Sequence, residues 1–337
     1  MSGLEGAWAL LGAEARPESG WHSRRIFNGS ACTIRAGIRQ PSGTRGILFE
    51  VAASAVAPGA IYPDCAGFTL RPEPLVAGPG GTVRLALEER HPAWRDIFGI
   101  LGNAVARQVA ARSDEPAAVS QLFARLAAWQ RFLAAHGPGR MSEKAQAGLV
   151  AELLFLERHV LPGRGGAASV AAWRGPTGAP QDFCFPRCLV EVKGTKSFSP
   201  ASFRVSNLEQ LSGETGLPLF VCHMGLTLAA TDGRTLPEIV DQLRVAIGST
   251  LDGGDALFEE MIFEAGYLDA HAAAYAAPAY AIGPTRWFRV DEGFPRLVPG
   301  SVPQGVQSAV YSVSLAACAP FEVDAEACLS LTGPEHG

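Results

Sequence analysis

Short apolar or alternating segments, separated by clusters of Gly, Pro and Ser, dominate residues 1–90 and predict a β-rich unit. The segments are residues 32–38, 46–52, 67–70 and 82–87. The unit contains no carboxylate pair or other catalytic constellation. Its arginines fit solvated strand faces better than a nucleic-acid surface: Arg24, Arg25, Arg35 and Arg39. We therefore expect this unit to serve substrate engagement or assembly.

A helical periodicity follows over residues 91–161. Residues 92–111 and 116–135 predict a helical hairpin, because each segment opens with proline and the second stops at Gly137. A third helix is predicted over residues 142–161, with Ser142 as its N-cap and a Pro-Gly pair at its end. Glu152 and Glu157 both have apolar helical neighbours, so periodicity alone does not decide which one faces a site.

The rest of the chain mixes both patterns and predicts an α/β (α+β) fold. Strands are expected over residues 168–173, 181–185, 188–194, 217–224, 226–230, 286–290 and 306–317. Helices are expected from near Ser206 and over residues 237–247 and 255–265. Four segments follow from these patterns: residues 1–90, 91–140, a core over 141–235, and a C-terminal α/β extension over 236–337.

The segment from Gln181 to Lys193 carries the candidate chemistry. A tight turn at Pro186-Arg187 would join two short strands and place Asp182 directly opposite Glu191. Opposite residues of an antiparallel pair lie about 5 Å apart on one sheet face, and the period of two adds Lys193 to that face. Two carboxylates at that separation repel each other and call for a cation between them.

Eight residues separate Asp182 from Glu191, and one residue separates Glu191 from Lys193. This spacing resembles the motif of the PD-(D/E)XK nuclease superfamily. Gln181 stands where the family name places proline. The chain has three lysines and 25 arginines, and two of the three lysines lie at the end of this segment (Lys193) or three residues beyond it (Lys196). Across nearly its whole length the chain is also similar to a bacterial family of PD-(D/E)XK motif proteins often encoded with restriction or phage-defence genes.

The resemblance implies a restriction-endonuclease-like core, in which helices flank a mixed sheet. It implies that Asp182 and Glu191 hold Mg²⁺ or Mn²⁺ and that Lys193 orients the attacking water. The preceding helix of this fold often contributes a glutamate to the metal, and the run 148–156 favours Glu152 for that position. Gln210 falls where several families of this fold place an auxiliary polar residue.

The nucleic-acid contacts implied by the resemblance are Lys196, Arg187 and Arg204, which cluster around the motif. DNA is the expected partner, RNA remains open, and other defence-system proteins and a homodimer are further expectations. A net charge of −5 does not exclude nucleic acid, because binding depends on where the positive charge lies.

No apolar run reaches the length of a membrane span and no export signal is visible, so a cytoplasmic protein without membrane association is expected. An odd count of seven cysteines favours free thiols. Zinc binding by Cys184, Cys188, Cys222 and His223 is less favoured than burial of small apolar cysteines.

Three functions follow from these patterns. A magnesium-dependent DNA endonuclease is the leading hypothesis. A nucleic-acid-binding subunit with weak or no hydrolysis is the alternative on the same fold. In the third, the Asp-Glu-Lys trio is a surface ion network of a structural protein.

Overall fold

The computed structural model describes residues 3–14, 19–75, 81–196, 201–213, 216–228 and 232–333. Contacts between residues divide the chain into two units, residues 1–139 and residues 140–337. The finer boundaries expected near residues 90 and 235 stay predictions.

The first unit is built on a five-stranded antiparallel sheet with the strand order β1-β2-β3-β5-β4. Its helices and strands are α1 (Leu4–Ala13), β1 (Gly20–Arg25), β2 (Thr33–Gln40), β3 (Thr44–Ala52), β4 (Phe68–Pro74), β5 (Thr82–Glu89), α2 (Arg95–Ala110) and α3 (Glu115–His136). The helical hairpin is confirmed as α2 and α3. Asp114 caps α3, and Gly137 closes it at a positive φ of 68° that a glycine adopts without strain.

Two elements of this unit were not predicted from the sequence. The residue before α1 is Gly3, which offers no capping side chain, so the usual start signal is absent. Tertiary packing stabilises α1 instead, because Trp8 stacks on Phe98 of α2 with ring centroids 5.8 Å apart. Strand β1 is a partly exposed edge strand, and its polar sequence gives little alternation to read.

The second unit carries six helices and seven strands in its described part. They are α4 (Glu143–Phe155), α5 (Gly166–Ala172), β6 (Phe183–Cys184), β7 (Leu189–Thr195), β8 (Ser202–Val205), β9 (Leu219–Leu228), α6 (Leu236–Gly248), α7 (Gly254–Glu264), β10 (Tyr280–Arg289), β11 (Tyr311–Ser314), α8 (Leu315–Cys318), β12 (Glu322–Val323) and α9 (Ala325–Thr332). A π-helix (Leu156–Val160) and a 3₁₀ turn (Leu161–Gly163) continue α4, so the predicted third helix is confirmed, with Ser142 as its N-cap.

The main sheet of the second unit has the order β12-β10-β9-β7-β6. Strands β7 and β9 are parallel and the other pairs are antiparallel, so the predicted mixed sheet is confirmed. On one face Val190 and Val192 join the large apolar cluster that includes Phe155 of α4. On the other face Leu189 packs in a smaller cluster with Phe203 of β8, which pairs with β11.

The register of the β6–β7 hairpin agrees with the sequence prediction. Phe183 pairs with Val190, and the Phe185 amide donates to the Cys188 carbonyl at 2.9 Å. The turn therefore falls at Pro186-Arg187, although β6 is only two residues long.

Two predictions between residues 165 and 213 are wrong. The predicted strand at 168–173 is the helix α5, whose four alanines favour a helix over a strand. The predicted helix from Ser206 is a turn, in which the Asn207 side chain accepts hydrogen bonds from the amides of Glu209 and Gln210. Such a local side-chain bond satisfies the amides that a first helical turn leaves unpaired.

Two strand predictions are also corrected. Residues 217–224 and 226–230 form the single strand β9, which runs through Gly225, and residues 229–230 lie outside the described ranges. Gly225 is closely packed there, because a Cβ added to it would lie 3.3 Å from the Pro284 carbonyl oxygen in the irregular part of β10. The predicted strand at 306–317 is only the short β11, followed by α8.

Helix α9 is held against the hairpin turn by two arginines. Arg187 donates to the Ser330 carbonyl at 2.7 Å, and Arg164 Nε donates to the Thr332 carbonyl at 2.8 Å. These bonds satisfy carbonyls that a helix C-terminus leaves without partners. Within the described ranges, no helix combines the length and apolarity that crossing a bilayer requires.

Candidate active site

Three carboxylates from separate elements meet beside β7. Glu152 comes from the middle of α4, Asp182 immediately precedes β6, and Glu191 is the third residue of β7. The Val192 amide donates to Asp182 Oδ2 at 2.7 Å, which fixes the aspartate against the strand that carries Glu191. The structure thus brings together the three acids expected from the sequence.

The backbone of the loop before β6 passes close to these carboxylates. The Gly175 amide donates to the Asp182 carbonyl at 3.0 Å. A Cβ added to Gly175 would lie 2.9 Å from Asp182 Oδ1 and 3.1 Å from Glu152 Oε2. Residue 175 is therefore a place where only a hydrogen fits between the backbone and the acids.

Glu152, and not Glu157, faces this cluster. Trp173 Nε1 donates to Glu152 Oε2 at 2.8 Å, whereas Glu157 forms a two-bond ion pair with Arg234. The ambiguity between the two glutamates is resolved by a partner 77 residues away from Glu157.

Glu191 is the most deeply buried acid, with 1 % of its surface exposed. Its Oε1 accepts from Lys193 Nζ at 2.5 Å, and its Oε2 has no hydrogen-bond partner among the described residues. Lys193 also donates to Gln210 Oε1 at 3.1 Å, and Gln210 Oε1 accepts from the Ser206 amide at 2.8 Å. Gln210 thereby fixes the position of the ammonium group.

Burial raises the pKa of all three carboxyls. For Glu191, burial and the neighbouring Asp182 raise the pKa to about 8, against the opposing effect of Lys193. For Glu152, burial and then the charge of Asp182 raise the pKa well above its usual value, while the Trp173 bond lowers it. For Asp182, burial raises the pKa, and Lys193 and the Val192 amide oppose the change. Burial is the main cause in each case, and for the two glutamates the neighbouring acids add to it because one ammonium faces three acids.

The donor chemistry fits a hard divalent cation. Carboxylate oxygens are the ligands that Mg²⁺ and Mn²⁺ prefer, and three ionised acids beside one lysine leave two negative charges. Within the described part of the chain, no three His, Cys, Asp or Glu side chains stand at metal-ligating distances from a common point. Oxygens of these acids bond instead to Val192, Trp173 and Lys193. The unpartnered Glu191 Oε2 is the oxygen most in need of a cation.

The three expected nucleic-acid contacts lie in different settings. Lys196 pairs with Glu143 at 3.0 Å, and Arg204 is exposed on β8. Arg187 is engaged by the Ser330 carbonyl of α9 and is not joined to the carboxylate cluster by any hydrogen bond of the described residues.

Sequence reasoning missed Trp173 and Gly175 and considered His223 only as a zinc ligand. Trp173 ends the segment predicted as a strand, and Gly175 follows it in a loop with no recognisable pattern. His223 lies beside Lys193 in the β7–β9 register and shares a 3.0 Å hydrogen bond with the Thr195 hydroxyl. An isolated histidine in an apolar strand carries no signal of that contact. The seven cysteines are free thiols, as expected.

Comparison with known proteins finds a family. The family model described as "Putative PD-(D/E)XK family member, (DUF4420)" matches residues 4–316, which include every residue of the site described above. No curated protein and no solved structure matches the chain. The match agrees with the resemblance drawn from the hairpin and with an α+β nuclease-like fold. Members of the PD-(D/E)XK superfamily are generally nucleases.

We expect the metal-free protein to lose stability as pH rises from about 5 to 8. An acid with a raised pKa in the folded state keeps its proton there after the unfolded chain has released it, so folding is favoured at low pH. For Glu191 this window runs from 4.5 to about 8. Each retained proton changes the free energy of unfolding by about 1.4 kcal/mol per pH unit.

Denaturant unfolding in EDTA at several pH values measures this slope. Glu191→Gln should flatten it, whereas Glu260→Gln, at an exposed position on α7, should leave it unchanged. Equal slopes for the wild type and Glu191→Gln would contradict a raised pKa of Glu191.

Gly175→Ala should destabilise the protein by about 1–3 kcal/mol, the usual cost of overpacking. The added methyl group would press on two carboxylates that hydrogen bonds hold in place. Gly163→Ala is the control, because nothing lies within 4 Å of the Cβ it would add. Equal free energies of unfolding for the two variants would show that the acids do not crowd Gly175.

Proposed function

The chain belongs to the PD-(D/E)XK family that it matches over residues 4–316, and from this membership and the carboxylate cluster we propose that it is a divalent-metal-dependent nuclease. The reaction would be hydrolysis of phosphodiester bonds, with DNA as the expected substrate. The observation that carries the proposal is the buried, unpartnered Oε2 of Glu191 beside two further acids. A buried carboxylate oxygen without a donor is costly unless a cation binds it in the working state.

Asp182 and Glu191 would hold Mg²⁺ or Mn²⁺, and Glu152 would complete the oxygen shell. Mg²⁺ is commonly held by one or two carboxylates and several waters, so this site needs no cluster of three direct ligands. The bound cation would stabilise negative charge on the phosphate and make a water more acidic. The Val192 amide keeps Asp182 oriented, and Trp173 does the same for Glu152.

Lys193 is proposed as the catalytic cation. Its ammonium group bonds Glu191, and 11 % of its side chain is exposed. The hydrogen bond to Gln210 fixes the direction of the ammonium group. From this position it would hold the attacking water and offset the charge that develops on the phosphate. Lys193 bonds Oε1 of Glu191, so Oε2 is the oxygen of that carboxylate left to face a cation.

A nucleic-acid-binding subunit without hydrolysis is the second candidate. The close Lys193–Glu191 pair favours it, because the ammonium already offsets the charge of that carboxylate. A role in restriction or phage defence, association with other defence proteins and a homodimer stay predictions of the family resemblance.

Lys193→Arg should lower kcat for DNA cleavage by about 10²–10³-fold, the usual loss when a transition-state donor is misplaced. A planar guanidinium cannot put one donor where the ammonium stood, although it keeps the charge. Mn²⁺ affinity, measured by calorimetry, should change little. Asp182→Ala should lose Mn²⁺ binding and cleavage together.

Lys196→Arg is the matched control, because Lys196 is a half-buried lysine of the same region that pairs with an exposed glutamate, and only its charge is required. It should cleave at nearly the wild-type rate. Wild-type cleavage by Lys193→Arg would remove Lys193 from the mechanism. Wild-type protein that binds nucleic acid but neither binds Mn²⁺ nor cleaves would favour the second candidate.

A further inference from the structure

A groove of about 490 Å³ opens directly beyond Lys193, at the end of β7. One wall is formed by the residues that follow Lys193 on the chain, including Thr195 and Lys196. The first turn of α4 supplies Lys144, and the β8–β11 pair supplies Arg204 opposite Ser312. The lining of the groove therefore begins one residue beyond Lys193 on β7.

The groove concentrates positive charge in a chain whose net charge is −5. Its walls carry three cations, Lys144, Lys196 and Arg204, and, among the described residues, a single carboxylate, that of Glu143. The Glu143 side chain is 78 % exposed and bonds Lys196. Lys144 and Arg204 have no carboxylate partner among the residues that the structure describes. Many other basic side chains do have one, such as Arg234 with Glu157 and Arg286 with Glu322. A local surplus of positive charge attracts anions.

We infer that this groove holds the sugar-phosphate backbone of the nucleic-acid strand on one side of the bond that is cut. The inference rests on the proposed function, since the carboxylate site next to the groove would define where the cut falls. Strand residues rise about 3.3 Å each, so Lys196 lies roughly 10 Å along β7 from Lys193. One strand of a duplex advances about 3.4 Å per nucleotide. The groove thus receives the phosphates about one to three nucleotides from the cut.

The lining also determines what is recognised. Ammonium and guanidinium groups and the hydroxyls of Ser202 and Ser312 contact phosphates and sugars, which carry no sequence information. Phe203 lines the groove but is 3 % exposed, so it offers no open face for stacking a base. The described lining therefore offers groups that suit the phosphate backbone and no exposed ring for base stacking.

The first experiment measures binding of a fluorescent oligonucleotide without divalent metal, over a range of salt concentrations. Each phosphate contact contributes about 0.9 to the slope of log K against log salt for duplex and about 0.7 for single strands. The double variant Lys144→Ala/Arg204→Ala should therefore reduce the slope by about 1.4–1.8. The control Arg158→Ala/Arg289→Ala removes two exposed cations outside the groove and should leave the slope unchanged. Equal slopes in the two double variants would overturn the inference.

The second experiment measures cleavage with shortened substrates. The groove variant should raise KM and leave kcat within about twofold, because its residues hold the flanking strand and not the reacting phosphate. Substrates are then trimmed to one nucleotide on either side of the cut. One of the two trims should raise the wild-type KM and abolish the difference between wild type and variant. If the difference survives both trims, the groove does not hold the flanking strand.

The proposed nuclease activity and the proposed role of the groove can be refuted independently of each other. Wild-type protein that neither binds Mn²⁺ nor cleaves would refute the nuclease, while the salt dependence of binding still decides whether the groove holds a phosphate backbone. Normal cleavage with a groove variant that behaves like its control would refute the groove alone.

Discussion

The hydrogen bond from the Val192 amide to the Asp182 carboxylate is the contact on which the site depends. It links the start of the hairpin to β7 and holds Asp182 beside the strand that carries Glu191. The same register buries Val190 and Val192 in the large core, and a slip of one residue would reverse both faces. Burial of the apolar face therefore specifies the arrangement of the charged one.

That arrangement is unfavourable when considered alone. Three acids share a poorly solvated space with one ammonium, and their pKa values rise as a result. Stability must come from the surrounding scaffold, such as the close packing of β7 on α4, where a Cβ on Gly194 would meet that of Ala151 at 2.7 Å. Functional sites commonly carry such a cost, which the rest of the fold offsets. The three acids carry a surplus of negative charge, and the groove beyond Lys193 carries a surplus of positive charge.

The sequence allowed the hairpin and its acids to be predicted because the signals are local: a proline turn, an alternating strand and fixed spacing. The choice of Glu152 over Glu157 could not be read from periodicity, because it depends on Arg234 and Trp173 at a distance in the chain. The turn after Ser206 was mistaken for a helix because one asparagine side chain outcompetes helical bonding there. The sequence gives no signal for Gly175, since this position requires only that no side chain be present beside the crowded carboxylates.

The contact between α9 and the hairpin turn has a consequence for protein engineering. Arg187, a turn residue, bonds the Ser330 carbonyl, and its Nη2 lies 3.9 Å from the Cβ position of Gly333. A fusion partner joined directly to Gly333 would begin next to the turn that sets the hairpin register.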